Sequence, residues 1–351
     1  MPPSSPMPST EPLRIWSQER VLHAMRDGDA LVIESAADAA ECSAWTLQSR
    51  GADLCLAARD VDDNVGHLRA ALEAAFTMHP TSASLTLDST GRAPAWLIQS
   101  GAARLDPAAG VVVERAAFWQ QPGVWTPALT AVHAQQHVVT DGRRHPRRPP
   151  KPQGIVYRRF VPWLGRTLGL RSLDAERDLP VFHRWMNDPV VDRFWGERGE
   201  LARHRAYLDA IAADPHAAAL VLCLDDEPFG YVEAYWAKED RIAPFCDAQD
   251  HDRGWHVLVG EAACRGKPFL TAWMPSVAHY LFLDDCRTQR IVIEPRADND
   301  RMIKSLARNG YALVKEFDFP HKRAMLGVLL RERFFGEALW NPRPEPTAMP
   351  A

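Results

Sequence analysis

Nowhere in these 351 residues is there an apolar run approaching the roughly 18 residues that a helix needs to cross a bilayer. A helical membrane span is therefore not expected. Cysteine is scarce: Cys42, Cys55, Cys223, Cys246, Cys264 and Cys286 are scattered, and no two form a CxxC pair. That spacing suggests neither a disulfide framework nor a thiolate metal site, so reduced thiols and no metal are expected. A basic excess is missing too, since the formal net charge is −4, and nucleic acid is not an expected partner. The one cationic run, Arg143-Arg144-His145-Pro146-Arg147-Arg148, is broken by proline and reads as linker. Residues 1–12 are rich in proline and serine but lack the basic and apolar regions of a signal peptide. They read as a disordered tail on a cytoplasmic protein. No internal repeat of fixed period is visible.

What is present suits a soluble chain of two domains, given this length and 46% hydrophobic residues. The clearest boundary is Pro146 to Gly154, whose four prolines make a stiff extended segment. The expected organisation is a tail (1–12), an N-terminal α+β domain (13–145), a Pro/Arg-rich linker (146–158), a second domain (159–340) and a tail (341–351). In the first domain, short apolar runs at 30–33 and 54–57 suggest strands. Val65, Leu68, Leu72 and Phe76 recur at helical spacing, and alternation at 84–87 adds a strand. No catalytic constellation is visible there, and His67 and His79 read as structural.

The second domain reads βααβββαβαββ. Its first helix runs from about Ala175 to Asn187, capped by Asp174 and ended before Pro189. An aromatic turn at 194–196, a helix at 201–212 and a hairpin around Asp225–Pro228 follow. The organising stretch is 252–299: a strand, an Arg265-Gly266-Lys267 turn, a helix from Pro268 and a strand ending at Glu294. A right-handed crossover makes those two strands parallel neighbours, which can splay to admit a ligand.

His256 opens the first of these strands and Glu294 closes the second. A histidine at a strand mouth suits proton transfer, and a carboxylate beside it can orient the ring. The plainer reading has His256 on a carbonyl and Glu294 paired with Arg290 or Arg296. The Arg-Gly-Lys turn offers backbone N–H groups, a helix dipole and two cations to an anion. Trp185, Phe194, Trp195, Tyr231, Tyr235 and Trp236 concentrate around the hairpin as core or pocket wall. Glu233, Glu239, Asp240 and Asp252 can either receive a cationic substrate or simply face water.

Longer strings narrow the reading. Trp185-Met186-Asn187-Asp188-Pro189, Tyr235-Trp236-Ala237, Asp252-Arg253-Gly254-Trp255-His256, Glu294-Pro295-Arg296 and Phe317-Asp318-Phe319-Pro320-His321-Lys322-Arg323 resemble the siderophore-type GNAT acyltransferases. Within them the likeness is to the N(6)-hydroxylysine acetyltransferases. It is dense after residue 147 and sparse before about 110. The fold so implied is α/β (α+β), with a GNAT domain at the C-terminal side and a smaller α+β domain before it. Whether that first domain is a degenerate GNAT-like copy or packing support is not decided by residue identity.

The resemblance implies transfer of an acetyl group from acetyl-CoA to the hydroxylamine nitrogen of N(6)-hydroxylysine, giving a hydroxamate. It implies His256 and Glu294 as the catalytic pair, with His256 taking the proton. Val257, Val259, Arg265, Gly266, Lys267, Asn299 and Arg301 are the implied contacts to the acyl-CoA. For the acceptor they are Trp195, Glu233, Tyr235, Trp236, Asp252, Arg296, Lys322 and Arg323. Arg296, Lys322 or Arg323 would take the carboxylate, and Asp252 or Glu239 the α-amine. A siderophore synthetase and an amine monooxygenase are the implied pathway partners. One departure stands out: Pro268 and Leu270 occupy positions where the wider fold has glycine-type residues that donate to pyrophosphate. Other N-hydroxylated amines, hydroxyornithine, a succinyl donor, an aminoglycoside-type reaction and a non-enzymatic acyl-CoA-binding scaffold are the competing readings.

Overall fold

The structure is a computed structural model; it describes residues 12–17, 20–50, 53–59, 64–88, 95–127 and 134–342. Apart from residues 12, 341 and 342, the two tails expected at 1–12 and 341–351 lie outside the described residues. The chain forms two compact units, Met1–Pro127 and Ala128–Ala351.

The first unit is an eight-stranded sheet built from β1 (Leu13–Ser17), β2 (Arg20–Asp27), β3 (Ala30–Ser35), β4 (Cys42–Arg50), β5 (Asp53–Ala58), β6 (Ser84–Asp88), β7 (Ala103–Asp106) and β8 (Gly110–Glu114). Strand order is β1-β2-β3-β4-β5-β6-β8-β7, and only β5 and β6 pair in parallel. Helix α1 (Val65–Met78) joins that pair and is capped by Asn64, whose side chain accepts from the N–H groups of Gly66 and His67. Its Leu68, Leu72 and Phe76 are buried, as their spacing predicts. Short helices α2 (Ala95–Gln99), α3 (Arg115–Phe118) and α4 (Pro122–Trp125) complete the unit.

The second unit begins with the hairpin β9 (His137–Thr140) and β10 (Arg143–Pro146). Residues 134–145, which the sequence places in the first domain, therefore belong with the second. The reason is electrostatic. His137 meets Asp250 at 2.9 Å, Arg143 donates to the Glu239 carbonyl, and Arg148 grips the Glu239 carboxylate at 2.7 and 2.8 Å. The expected linker also ends early, because Ile155–Val161 is a sheet strand, β11.

Strands β12 (Arg166–Ser172), β13 (Ala217–Leu224), β14 (Glu227–Trp236), β15 (Arg253–Val259), β16 (Arg290–Ile293), β17 (Ala312–Phe319) and β18 (Lys322–Leu330) complete a second eight-stranded sheet. Its order, β11-β12-β13-β14-β15-β16-β18-β17, repeats that of the first unit strand for strand, including the single parallel pair β15/β16. One difference is decisive. A two-residue turn joins β2 to β3, whereas helices α5 (Ala175–Met186), α6 (Pro189–Trp195) and α7 (Leu201–Ala213) separate β12 from β13. Helices α8 (Ala243–Cys246), α9 (Lys267–Asp284), α10 (Asp300–Arg308) and α11 (Arg331–Gly336) fill out the second unit. The aromatic turn expected at 194–196 is the end of α6, a helix that Asp188 caps and Pro189 opens.

Register sets which side chains meet. Glu233 on β14 lies opposite His256 on β15, and Tyr235 opposite Gly254. Directly opposed residues share a face, so Tyr231, Glu233, Tyr235 and His256 project together. Gly254 is required there: a Cβ would stand 2.2 Å from the Tyr235 ring. Replacing Gly254 with Ala is expected to lower unfolding free energy by about 1–3 kcal/mol through this overlap. A denaturant midpoint equal to the wild type would show that the ring yields freely.

Candidate active site

The site arises where the parallel pair separates. β15 and β16 pair only at Arg253 and Ile291, so the later residues of β15 have no β16 partner. His256 lies on this diverging stretch, and Glu294 follows β16 directly. A cavity of about 500 Å³ opens there, walled by α6 and α7 on one side and by 295–302 and 321–322 on the other.

His256 is held from both ring nitrogens. Its Nδ1 is 3.0 Å from a Glu233 carboxylate oxygen and its Nε2 2.8 Å from a Glu294 carboxylate oxygen. A neutral ring donates from one nitrogen only, so two carboxylate partners select the doubly protonated form. Burial opposes the charge, but Glu294 and Glu233 more than offset it, and the His256 pKa is pushed up to about 10. Since the shift is upward, the imidazolium is present below that value and is lost as pH rises through it. The carboxylates respond in the opposite direction. Burial works against their ionised forms, yet the neighbouring imidazolium holds both Glu294 and Glu233 below the usual carboxylate range.

Tyrosines complete the clamp. Tyr207 on α7 and Tyr231 donate to the same Glu233 oxygen, Tyr231 at 3.1 Å. Tyr235 donates to Glu294 at 2.8 Å, and its ring centroid lies 4.8 Å from that of His256. The Lys322 ammonium donates to the Glu294 carbonyl at 2.8 Å, and Arg241 reaches the Glu294 carboxylate at 3.4 Å.

Trp195, Glu233, Tyr235, Val257, Arg296, Asn299 and Lys322, all singled out from the sequence, line the same cavity as His256 and Glu294. Others do not. Asp252, expected to receive an α-amine, is buried against Arg290 with oxygens 2.5 and 3.2 Å from its guanidinium. Glu239 is spent on Arg148, and Trp236 is sandwiched between Arg148 and Arg253, each 4.1 Å from its ring. Arg323 is exposed and pairs with Glu316 at 2.8 Å, outside the lining. Asp252 and Glu239 are taken by cations from distant parts of the chain, Arg323 by the facing strand of its own hairpin, and Trp236 by the two guanidinium groups over its ring.

The turn after β15 is likewise occupied. Arg265 donates to the Val259 and Gly260 carbonyls at 3.0 Å and meets Asp188 at 3.2 Å. It closes its own loop rather than reaching outward. Gly266 caps α9 at φ +112°, a conformation that favours glycine, and Lys267 is the exposed first residue of the helix. Asn299 caps α10 through its side chain, and Arg301 is exposed on the first turn of that helix. Tyr207 and Arg241 were not assigned roles from sequence, although both line the cavity, as does Asp240, one of the acidic groups offered to a cationic substrate. Tyr207 had no local signal, since only folding brings α7 over β14. His145, His216 and Glu239 also lie within 4.8 Å of one another. Both Glu239 oxygens face the Arg148 guanidinium, which sets a fixed positive charge where a cation would have to bind.

Comparison with known proteins bears on this geometry. Residues 174–319 match the acetyltransferase (GNAT) domain model. The N(6)-hydroxylysine O-acetyltransferase of Escherichia coli is 45% identical over 229 residues, covering 64% of this chain and 72% of that protein. An N(5)-hydroxyornithine:cis-anhydromevalonyl coenzyme A-N(5)-transacylase of Beauveria bassiana is 47% identical over 196 residues, 54% of this chain and 43% of that one. Among solved structures, an uncharacterized protein of Bacillus halodurans matches with a TM-score of 0.50 at 27% identity, covering 53% of this chain and 94% of that chain. The chain thus belongs to the GNAT acyltransferase family, in the branch that holds the hydroxylysine acetyltransferase and the hydroxyornithine transacylases.

Proposed function

We propose that this protein transfers an acetyl group from acetyl-CoA to the hydroxylamine nitrogen of N(6)-hydroxylysine, forming a hydroxamate for siderophore assembly. The supporting observation is His256, held between Glu233 and Glu294 at the mouth of a cavity where two parallel strands part. The hydroxylysine acceptor follows the name of the E. coli relative, and the coenzyme A donor follows that of the B. bassiana relative.

The acyl-CoA would lie along the unpaired stretch of β15. Backbone groups at Val257 and Val259 would pair with an extended pantetheine amide, as strands pair. Gly266, Lys267 and the first turn of α9 would face the phosphates, with Asn299 and Arg301 on the opposite wall. Arg265 would support that turn from within, which relieves it of direct phosphate contact.

The net reaction moves one proton. The nitrogen loses an N–H bond and gains the acyl carbon; the C–S bond breaks and the thiolate becomes a thiol. His256 starts as the cation, so it acts first as acid toward the departing sulfur and only then as base toward nitrogen. Glu294, hydrogen-bonded to the ring, steadies its charge through both steps. A hydroxylamine is less basic than an alkylamine, so the nucleophile is already neutral and positioning supplies much of the rate.

Purified protein given acetyl-CoA and N(6)-hydroxylysine is expected to release free thiol and to form a product that turns coloured with ferric iron. Thiol release without ferric colour, with an acetylated acceptor recovered, would mean acylation on oxygen, as the name of the E. coli relative states for that enzyme. No thiol release would contradict the reaction. Glu294→Gln is expected to lower kcat by about 10²–10⁴-fold with a small change in KM for acetyl-CoA. A kcat within a few-fold of the wild type would remove Glu294 from the mechanism.

A further inference from the structure

Five carboxylates line the cavity: Glu197, Asp214, Glu233, Asp240 and Glu294. Four are committed. Glu233 and Glu294 hold His256, Glu197 pairs with Arg203 at 2.7 Å, and exposed Asp214 accepts from the His216 backbone at 2.8 Å. Asp240 differs. One of its oxygens accepts the Ile242 N–H at 2.9 Å; for the other, no donor among the described residues lies within hydrogen-bond distance. Burial, and then the nearby Glu294 charge, raises the Asp240 pKa, as expected of a carboxylate whose ionised form lacks a partner.

The cations sort in the same way. Arg296 is matched by Asp298 at 2.8 Å, and Lys322 is drawn onto Glu294. Arg241, the residue after Asp240, is half-exposed, lies 5.6 Å from the Phe319 ring centroid and makes one long ion pair, 3.4 Å, to Glu294. Four of its five N–H donors remain available to a ligand in the cavity. Asp240 and Arg241 are thus consecutive, opposite in charge and both turned to the same space.

We infer that Asp240 and Arg241 together read the zwitterionic head of an α-amino acid acceptor, Asp240 taking the ammonium and Arg241 the carboxylate. The inference rests on the acyl-transfer reading and deepens it by naming the two residues that select an amino acid head over that of an N-hydroxylated diamine. A guanidinium fork suits a planar carboxylate, and an ammonium satisfies a lone carboxylate oxygen. A diamine would leave Arg241 unmatched.

Three acceptors of equal chain length separate the contributions: N(6)-hydroxylysine, N-hydroxycadaverine without the carboxylate, and N-hydroxypentylamine without either head group. Each is assayed with acetyl-CoA by thiol release, and only ratios of kcat/KM are compared, so any general loss in a variant cancels. Arg241→Gln is expected to reduce the hydroxylysine-to-hydroxycadaverine ratio about 10–100-fold, the range for a hydrogen bond to a charged group. Asp240→Asn is expected to reduce the hydroxycadaverine-to-hydroxypentylamine ratio by a similar factor. Ratios unchanged in variants that still turn over would overturn the inference while leaving acyl transfer intact. Absence of turnover by the wild type with all three acceptors would overturn the acyl-transfer reading itself.

Discussion

A protonated histidine held between two carboxylates governs the second unit. Glu233 belongs to β14, His256 to β15 and Glu294 to the end of β16, so three neighbouring strands must hold register for the contacts at 3.0 and 2.8 Å to exist. Burying such charges contributes little net stability, because desolvation offsets most of the attraction. Its value is preorganisation. A fixed positive charge flanked by fixed negative ones needs no rearrangement when charge develops in a transition state. The surrounding tyrosines serve the same end, since each donates to a carboxylate that also holds the ring.

The two units show what the site depends on. Both have the same strand order and one parallel pair. In the first unit β5 and β6 stay paired over three positions, Cys55 to Ala57 against Thr86 to Asp88. In the second, β15 and β16 pair once and then part. The first unit also replaces α5, α6 and α7 with a two-residue turn, and α7 is the element that carries Tyr207 to Glu233. An opened strand pair and a helical wall are therefore the features that set the second sheet apart, and both border its cavity.

Much of this was legible in sequence wherever the signal is local. Helical spacing and capping place α1 and α5 close to their observed positions, the helix expected from Pro268 is α9, and the strand–turn–helix–strand stretch brought His256 near Glu294. What escaped depended on pairings across long separations. Asp252 looked available until Arg290, 38 residues later, closed on it, and Glu239 until Arg148, 91 residues earlier, did so. The proline-rich segment resembled an inert linker because nothing in it reveals that Arg148 is required elsewhere or that 155–161 adds a strand. The protonation state was least accessible. His256 was expected to accept a proton, and it is the second carboxylate, from Glu233, that favours a ring already carrying it.

The central claim is therefore the charge on His256, and ring-nitrogen NMR of the isotopically labelled protein tests it most directly. The account predicts a doubly protonated ring through neutral pH that titrates near 10. A ring that loses its proton near the ordinary histidine value of 6.5 would contradict it.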